Sequence, residues 1–272
     1  MVVATALALL ALGVVLGLGG WDFTLGNLPV WRRATRTFLG QENRQADPVG
    51  DATARFEVPF NASEVKHVRS YLAIKRALDL SLSITLLLVF APVLLVCAVI
   101  VAVASGRPIL YAHQRVGLHG HPFRMWKFRT MAADAEAQLD AHLAVNGSWA
   151  DEYNHFHKLR ADPRVTTVGR FLRRWSLDET PQLFNVACGS MSLVGPRPIT
   201  YDELALYPQA RRYYYSVRPG LTGWWQTSGR SDLPLSERVR LDCQYVSGAC
   251  LRLDIWLMLR TPKAVVRGIG AR

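Results

Sequence analysis

The stretch from Ala77 to about Ala104 constrains this chain more than any other part of it. It is apolar and long enough to cross a bilayer, so the folded protein must either bury it or give it lipid. Yet Pro92 interrupts its middle and Asp79 lies near its start. Proline removes a backbone donor and crowds the preceding turn, which kinks or breaks a helix. The flanks add a second constraint. Lys75 and Arg76 precede the segment and Arg107 and Arg115 follow it, so the charge asymmetry of an ordinary spanning helix is missing. A helix broken at Pro92 that enters and leaves on one face accounts for both features, provided the backbone at the break finds partners. A kinked spanning helix is the rival, and the physics of the segment alone leaves both open.

Residues 1–20 carry no charge and are rich in Ala, Leu, Val and Gly. That length suits a single span. No basic region precedes it, as a cleaved signal peptide would require, and Arg32, Arg33 and Arg36 follow it. The expectation is a retained anchor over 1–20 whose following segment lies in the cytosol. From Gly40 to about Ser63 the composition turns polar without periodicity, so 21–69 reads as a linker. The remaining length suits one substantial domain, 70–272. A net charge of +11 in a chain that is half hydrophobic points to an anionic surface, either nucleic acid or membrane. Cys97, Cys188, Cys243 and Cys250 lack paired metal-site spacing and read as reduced thiols.

Beyond Gly106 the pattern changes. Ile109–Arg115 and Pro122–Met131 read as short strands around the turn Leu118-His119-Gly120-His121-Pro122, and Asp134–Val145 as a surface helix. Pro181–Val186 suits a helix with Thr180 as N-cap and Pro181 in its first position. A capping box starting at Ser176 competes, but that helix would have to carry Pro181 inside it. Leu253–Val266 reads as a final helix. The expected fold is α+β, mainly α: a small catalytic domain attached to a membrane segment. The aromatic and basic residues of Tyr201–Tyr215 and Trp224-Trp225 suit either a bilayer interface or a core.

The candidate chemistry is concentrated in Arg173-Arg174-Trp175-Ser176-Leu177-Asp178-Glu179-Thr180-Pro181-Gln182. An adjacent Asp–Glu pair is usually a solvated turn. Here Arg164, Arg170, Arg173 and Arg174 lie upstream and Arg197 downstream, the last on a loop stiffened by Pro196 and Pro198. Guanidinium groups neutralise phosphate oxygens, and a carboxylate beside them can act as nucleophile or Mg²⁺ ligand. That combination suits phosphoryl transfer. With a helix starting at Thr180, both carboxylates would sit at the positive end of its dipole, which favours their ionised forms. His119 with His121, and His155 with His157, lack acidic or thiol partners and read as surface residues. No phosphate-binding P-loop or nucleophile elbow is present.

From about Tyr71 onward the chain resembles the bacterial sugar transferases, the monotopic polyprenyl-phosphate phosphoglycosyl transferases. The matching residues are Lys75-Arg76, Gln114-Arg115-Val116-Gly117, Lys127-Phe128-Arg129-Thr130-Met131, Asp162-Pro163-Arg164-Val165-Thr166 and Gly169-Arg170. The most specific run is Ser176 to Val186, continuing into Met191-Ser192-Leu193-Val194-Gly195-Pro196-Arg197-Pro198, with Arg218-Pro219-Gly220-Leu221-Thr222-Gly223 after it.

The resemblance implies a re-entrant membrane helix over 75–105 and a location on the cytosolic face of the bacterial inner membrane. It also implies transfer of a sugar 1-phosphate from a UDP-sugar to undecaprenyl phosphate, with release of UMP. On this reading Asp178 is the covalent nucleophile and Glu179 holds Mg²⁺. Arg173, Arg174, Arg197, Lys75, Arg76 and Arg164 are the expected substrate contacts. The single anchor resembles the exopolysaccharide-initiating branch, whose donors are UDP-galactose or UDP-glucose. The partners are then a membrane rather than nucleic acid, and a homo-oligomer is compatible with the reading. Ala91 stands where many members have Ser, so Ser83 or water would have to serve the broken backbone. A membrane-tethered basic scaffold without catalysis is the alternative.

Overall fold

The computed structural model describes residues 68–132, 134–145, 162–229 and 233–266. The expected anchor over 1–20, nearly all of the expected linker, and His155 and His157 lie outside the described residues. Helix α1 (Val68–Ser105) holds the whole apolar segment, with Pro92 inside it. One stripe of this helix is buried along its length: Asp79, Ser83, Phe90, Cys97 and Val101. The opposite side exposes Leu88, Val89, Leu95, Val96, Val99 and Val103. Such a continuous exposed apolar face is what a membrane covers. Helix α1 continues through Pro92, where the sequence leads one to expect a break, and the Ser83 hydroxyl donates to Leu80 O at 3.1 Å within its own turn.

Strands β1 (Leu110–Val116) and β2 (Pro122–Phe128) form an antiparallel hairpin that pairs Tyr111 with Lys127 and Arg115 with Phe123. The turn uses His119 (φ 58°) and Gly120 (φ 79°) in left-handed conformations. Helix α2 (Ala135–Val145) is the expected surface helix. Helix α3 (Thr167–Arg174) starts at Thr166, whose side chain accepts from Gly169 N at 2.9 Å. After it, Ser176 turns the chain in a left-handed conformation (φ 52°), and Leu177–Glu179 form one 3₁₀ turn.

Helix α4 runs from Gln182 to Cys188, one residue later than the sequence suggests. Thr180 does not cap it: its hydroxyl donates to Leu177 O at 2.7 Å, so it closes the preceding 3₁₀ turn. The rival capping box at Ser176 does not form either, because the left-handed backbone there turns away from a helix start. Gly189 (φ 85°) ends α4 in a left-handed cap.

Strand β3 (Ser192–Val194) pairs in parallel with β4 (Gly220–Thr222). Between them α5 (Tyr201–Ala205) opens with a complete capping box of Thr200 and Glu203, and α6 (Arg211–Ser216) follows. Helices α7 (Trp224–Ser228), α8 (Leu235–Ser247) and α9 (Leu251–Val266) are the last elements among the described residues. The main core gathers Leu183, Val186, Met191, Leu204, Tyr213, Tyr214, Val239, Tyr245 and Leu257, with Leu82, Leu86 and Leu87 of α1 against it. Tyr213, Tyr214 and Trp225 are therefore core residues, not bilayer contacts. A second core joins Cys97 and Val101 of α1 to Phe128, Leu172 and Leu177. All four cysteines are free thiols.

Polar ties fix the first half of α1 to the same body. Lys75 Nζ and Tyr71 OH both reach Asp254 Oδ2 at 2.9 Å, and Asp79 accepts from Leu193 N at 2.9 Å. Arg76 donates to Val186 O and Ala187 O at 2.7 and 2.8 Å, adding to the Gly189 N–H that Val186 O already accepts at the end of α4.

The β3–β4 seam is built backbone against backbone. Gly195 N donates to Thr222 O at 2.9 Å and Gly220 N to Pro196 O at 2.7 Å. A Cβ on Gly220 would lie 2.1 Å from Gly195 N. Gly220→Ala is therefore expected to force the strands apart and cost on the order of 2–3 kcal/mol. Thermal unfolding in detergent should show a clearly lower Tm for Gly220→Ala. Gly248→Ala, whose added methyl meets Gln244 O at an ordinary 3.5 Å, should leave it nearly unchanged.

Candidate active site

The chain reverses between α3 and α4, and the reversal sets the carboxylate pair. The 3₁₀ turn sends Leu177 into the second core and takes Asp178 inside with it, 8 % exposed. Glu179, the next residue, remains half-buried. Asn185 of α4 then places the neighbouring strand. Its side chain accepts from Trp126 N at 3.1 Å and donates to Arg124 O at 2.7 Å, which fixes β2 against α4. Lys127, next along β2, reaches Glu179 Oε1 at 2.7 Å.

A second cation reaches the same oxygen: Arg197 Nη2 lies at 3.4 Å. The loop carrying it is held at both ends. Arg197 N donates to Asp242 Oδ2 at 3.2 Å, and Arg115 reaches Pro198 O at 3.4 Å and Glu203 at 3.2 Å. The Arg197 guanidinium carbon sits 5.3 Å from the centre of the Trp225 ring. From the other side comes Arg173, whose Nε donates to Thr130 Oγ1 at 3.0 Å and whose charge bears on Asp178.

These neighbours do not make Asp178 an ordinary carboxylate. Burial pushes its pKa up and the adjacent Glu179 pushes it further, while Lys127, Arg173 and Arg197 pull it down. The expectation that a helix dipole keeps the pair readily ionised is overturned for Asp178. The reason is burial, which outweighs the dipole of a helix that begins only at Gln182.

The sequence-predicted residues divide into two groups. Asp178, Glu179, Arg173 and Arg197 come together. Arg164 is close to Arg173, but its guanidinium is held by Asp162 in a two-point pair at 2.8 and 2.7 Å. Arg174 is exposed and lies 6.0 Å from the Trp175 ring. Lys75 and Arg76 have their partners in Asp254 and the end of α4, ties between helix and body rather than contacts with the carboxylate pair. Lys127, Asn185, Trp225 and Asp242 are the residues that sequence reasoning did not single out. Three of them left a trace: Lys127 within the run Lys127-Phe128-Arg129-Thr130-Met131, Asn185 within Ser176 to Val186, and Trp225 as an aromatic beside Trp224.

The arrangement offers three cations to a phosphate and one buried carboxylate as nucleophile. It also suits Mg²⁺. Among the described residues no group of three or more His, Cys, Asp or Glu side chains forms a protein cage. Mg²⁺ commonly takes one or two carboxylates together with substrate phosphates. The two adjacent carboxylates of Asp178 and Glu179 fit that donor set.

Known proteins similar to this chain are sugar transferases. The family model for bacterial sugar transferases matches residues 70–268. The exopolysaccharide production protein ExoY of Rhizobium meliloti is 39% identical over 220 residues, covering 81% of this chain and 96% of the relative. The undecaprenyl-phosphate galactose phosphotransferase of Salmonella typhimurium is 44% identical over 203 residues, 75% of this chain and 42% of the relative. The undecaprenyl-phosphate glucose phosphotransferase of Komagataeibacter xylinus is 40% identical over 200 residues, 70% of this chain and 35% of the relative. The chain thus spans less than half the length of these two phosphotransferases.

Asp242 also has a measurable signature. Its Oδ2 accepts from Arg197 N and Tyr214 OH, its Oδ1 has no partner, and burial pushes its pKa up to about 8. The folded state therefore holds a proton that the unfolded chain releases at the ordinary carboxylate pKa of about 4. Stability from this group is fully present below about pH 4 and declines as pH rises toward 8. Asp242→Asn keeps the shape without the charge. Denaturant unfolding across pH 5–8 should show the variant gaining on the wild type as pH rises, by on the order of a few kcal/mol.

Proposed function

The chain belongs to the bacterial sugar transferase family, and from that premise we propose that it transfers a sugar 1-phosphate from a UDP-sugar to undecaprenyl phosphate. The observation that carries the reading is the buried Asp178 beside Glu179, ringed by Lys127, Arg173 and Arg197. A non-catalytic scaffold gives no reason to bury a carboxylate at such cost. The relatives that are galactose and glucose phosphotransferases favour UDP-galactose or UDP-glucose as donor.

In the first half-reaction the donor's diphosphate lies among Lys127, Arg173 and Arg197. Their charge favours the ionised form of Asp178 against its burial and also neutralises the donor's phosphate oxygens. A carboxylate oxygen of Asp178 attacks the phosphorus that bears the sugar. The bond from that phosphorus to the bridging oxygen breaks, and UMP leaves with the electron pair. The product is an aspartyl phosphosugar. In the second half-reaction a phosphate oxygen of undecaprenyl phosphate attacks the same phosphorus, forming the lipid diphosphate sugar and returning Asp178 as carboxylate. Glu179 would hold Mg²⁺, and the metal when bound would supply neutralisation of the charge that develops on the leaving group.

The re-entrant reading of α1 is supported by its contacts. Its first half is tied to the body through Lys75, Arg76 and Asp79, and its second half through Cys97 and Val101. Asp79 and Val101 are about 33 Å apart along a straight helix, about the thickness of the hydrocarbon core. A body touching both ends of a spanning helix would itself lie in hydrocarbon with its ion pairs. Both halves on one face avoid this, and place the carboxylate pair at the cytosolic surface of the inner membrane. There a soluble donor and a lipid acceptor meet. The proposed layout is an anchor over 1–20, a linker over 21–69 and the transferase unit over 70–272.

The purified protein with Mg²⁺ and UDP-galactose or UDP-glucose should release UMP, and Asp178→Asn should abolish it. Release of UDP, or turnover that survives Asp178→Asn, would sink the reading. Single cysteines placed at Ser70 and Arg107 in intact cells should be labelled from the cytosolic face alone. Labelling of the two from opposite faces would remove the re-entrant helix.

A further inference from the structure

The three cations around the carboxylate pair are not held alike. Lys127 projects from a strand fixed by Asn185, and Arg173 is tied to Thr130. Arg197 reaches Glu179 only at 3.4 Å, through a long side chain on the loop Pro196–Pro198. A guanidinium on such a stem loses considerable rotamer freedom when fixed. Its direction must therefore come from something other than the Glu179 contact.

Two neighbours supply it. The indole of Trp225, 3 % exposed, lies under the Arg197 guanidinium carbon at 5.3 Å. Arg238, held by Leu233 O at 2.7 Å, brings a second guanidinium to within 5.1 Å of the same ring. A flat ring so confined is a rigid platform, and desolvation strengthens its attraction for a cation. The second neighbour is Asp242, 2 % exposed, which receives the backbone N–H of Arg197 at 3.2 Å and the hydroxyl of Tyr214 at 2.9 Å. The indole N–H of Trp225 closes no hydrogen bond of ordinary geometry, yet lies near enough to lower the Asp242 pKa. Ring, carboxyl and loop thus form one buried unit whose outward-facing member is Arg197.

We propose that Trp225 and Asp242 are positioning residues that fix the Arg197 guanidinium over the carboxylate pair, Trp225 by carrying its face and Asp242 by holding its backbone. The proposal rests on the transferase reading for what Arg197 does, and adds how it is aimed. Neither residue touches substrate. A guanidinium that wanders costs the step in which it must meet a phosphate oxygen, so its loss of aim is felt in kcat more than in KM.

The test is a double-mutant cycle on UMP release, in detergent or nanodiscs, with Tm measured for every variant. Trp225→Leu removes the platform and should lower kcat about tenfold or more, whereas Trp225→Phe keeps a flat ring and should stay within about threefold of wild type. Asp242→Asn keeps an acceptor for the Arg197 N–H and should behave like Trp225→Phe; Asp242→Leu should behave like Trp225→Leu. In an Arg197→Met background, Trp225→Leu should cost less than about twofold further, because its route of action is gone. An undiminished loss in that background, or full activity of a folded Trp225→Leu, overturns the proposal. A separate signal does not need turnover. The Arg197 Nε–H resonance should be displaced by the indole ring current, retained in Trp225→Phe in reduced form and lost in Trp225→Leu. Absence of that displacement in the wild type overturns the positioning role. Its presence in a protein that releases no UMP upholds the positioning role while the transferase reading fails.

Discussion

Arg76 donates two hydrogen bonds to the last carbonyls of α4, and from that pair of contacts much of the molecule takes its place. The helix whose end it closes begins three residues after Glu179, and its Asn185 orients β2. Lys75 and Asp79, one residue before and three after Arg76, bind Asp254 and the backbone of β3. A single turn or so of α1 is thus joined to the helix, the strand and the final helix that surround the carboxylate pair. The apolar helix and the polar site are not two modules linked by a tether.

The site itself reflects a conflict between burial and charge. Placing Asp178 inside raises the cost of ionising it, and the neighbouring Glu179 raises it again. Three cations oppose this from three separate elements: the hairpin, the helix before the pair, and the loop after β3. No one element could provide them without crowding, and each is braced by hydrogen bonds of its own. The result is a carboxylate whose ionisation responds to what lies among those cations.

Much of this was legible in the sequence. The hairpin, the surface helix, the final helix and the apolar segment all followed from alternation, turn residues and length. Asp178, Glu179, Arg173 and Arg197 were legible because they lie in a short run or on a loop stiffened by two prolines. What escaped was contact across distance. Lys127 meets Glu179 across some fifty residues of chain, and Asp242 meets Arg197 across forty-five, with no periodicity to announce either. Lys75 and Arg76 entered as expected substrate contacts through the resemblance, and their ties to Asp254 and to the end of α4 had no sign in the sequence either. Thr180 was expected as a cap because a threonine before a proline fits that pattern. The left-handed turn at Ser176 gave its hydroxyl a nearer partner.

The seam between β3 and β4 has a mechanical consequence. Its glycines bring two backbones together with no side-chain layer between them, and Arg197 follows two residues after one of those glycines. Side chains in a packed interface act as a compliant spacer that takes up small displacements by changing rotamer. Here there is no spacer. A shift of β4, or of the indole-bearing helix that follows it directly, would reach the arginine undamped, which makes the far side of the seam a remote handle on the site.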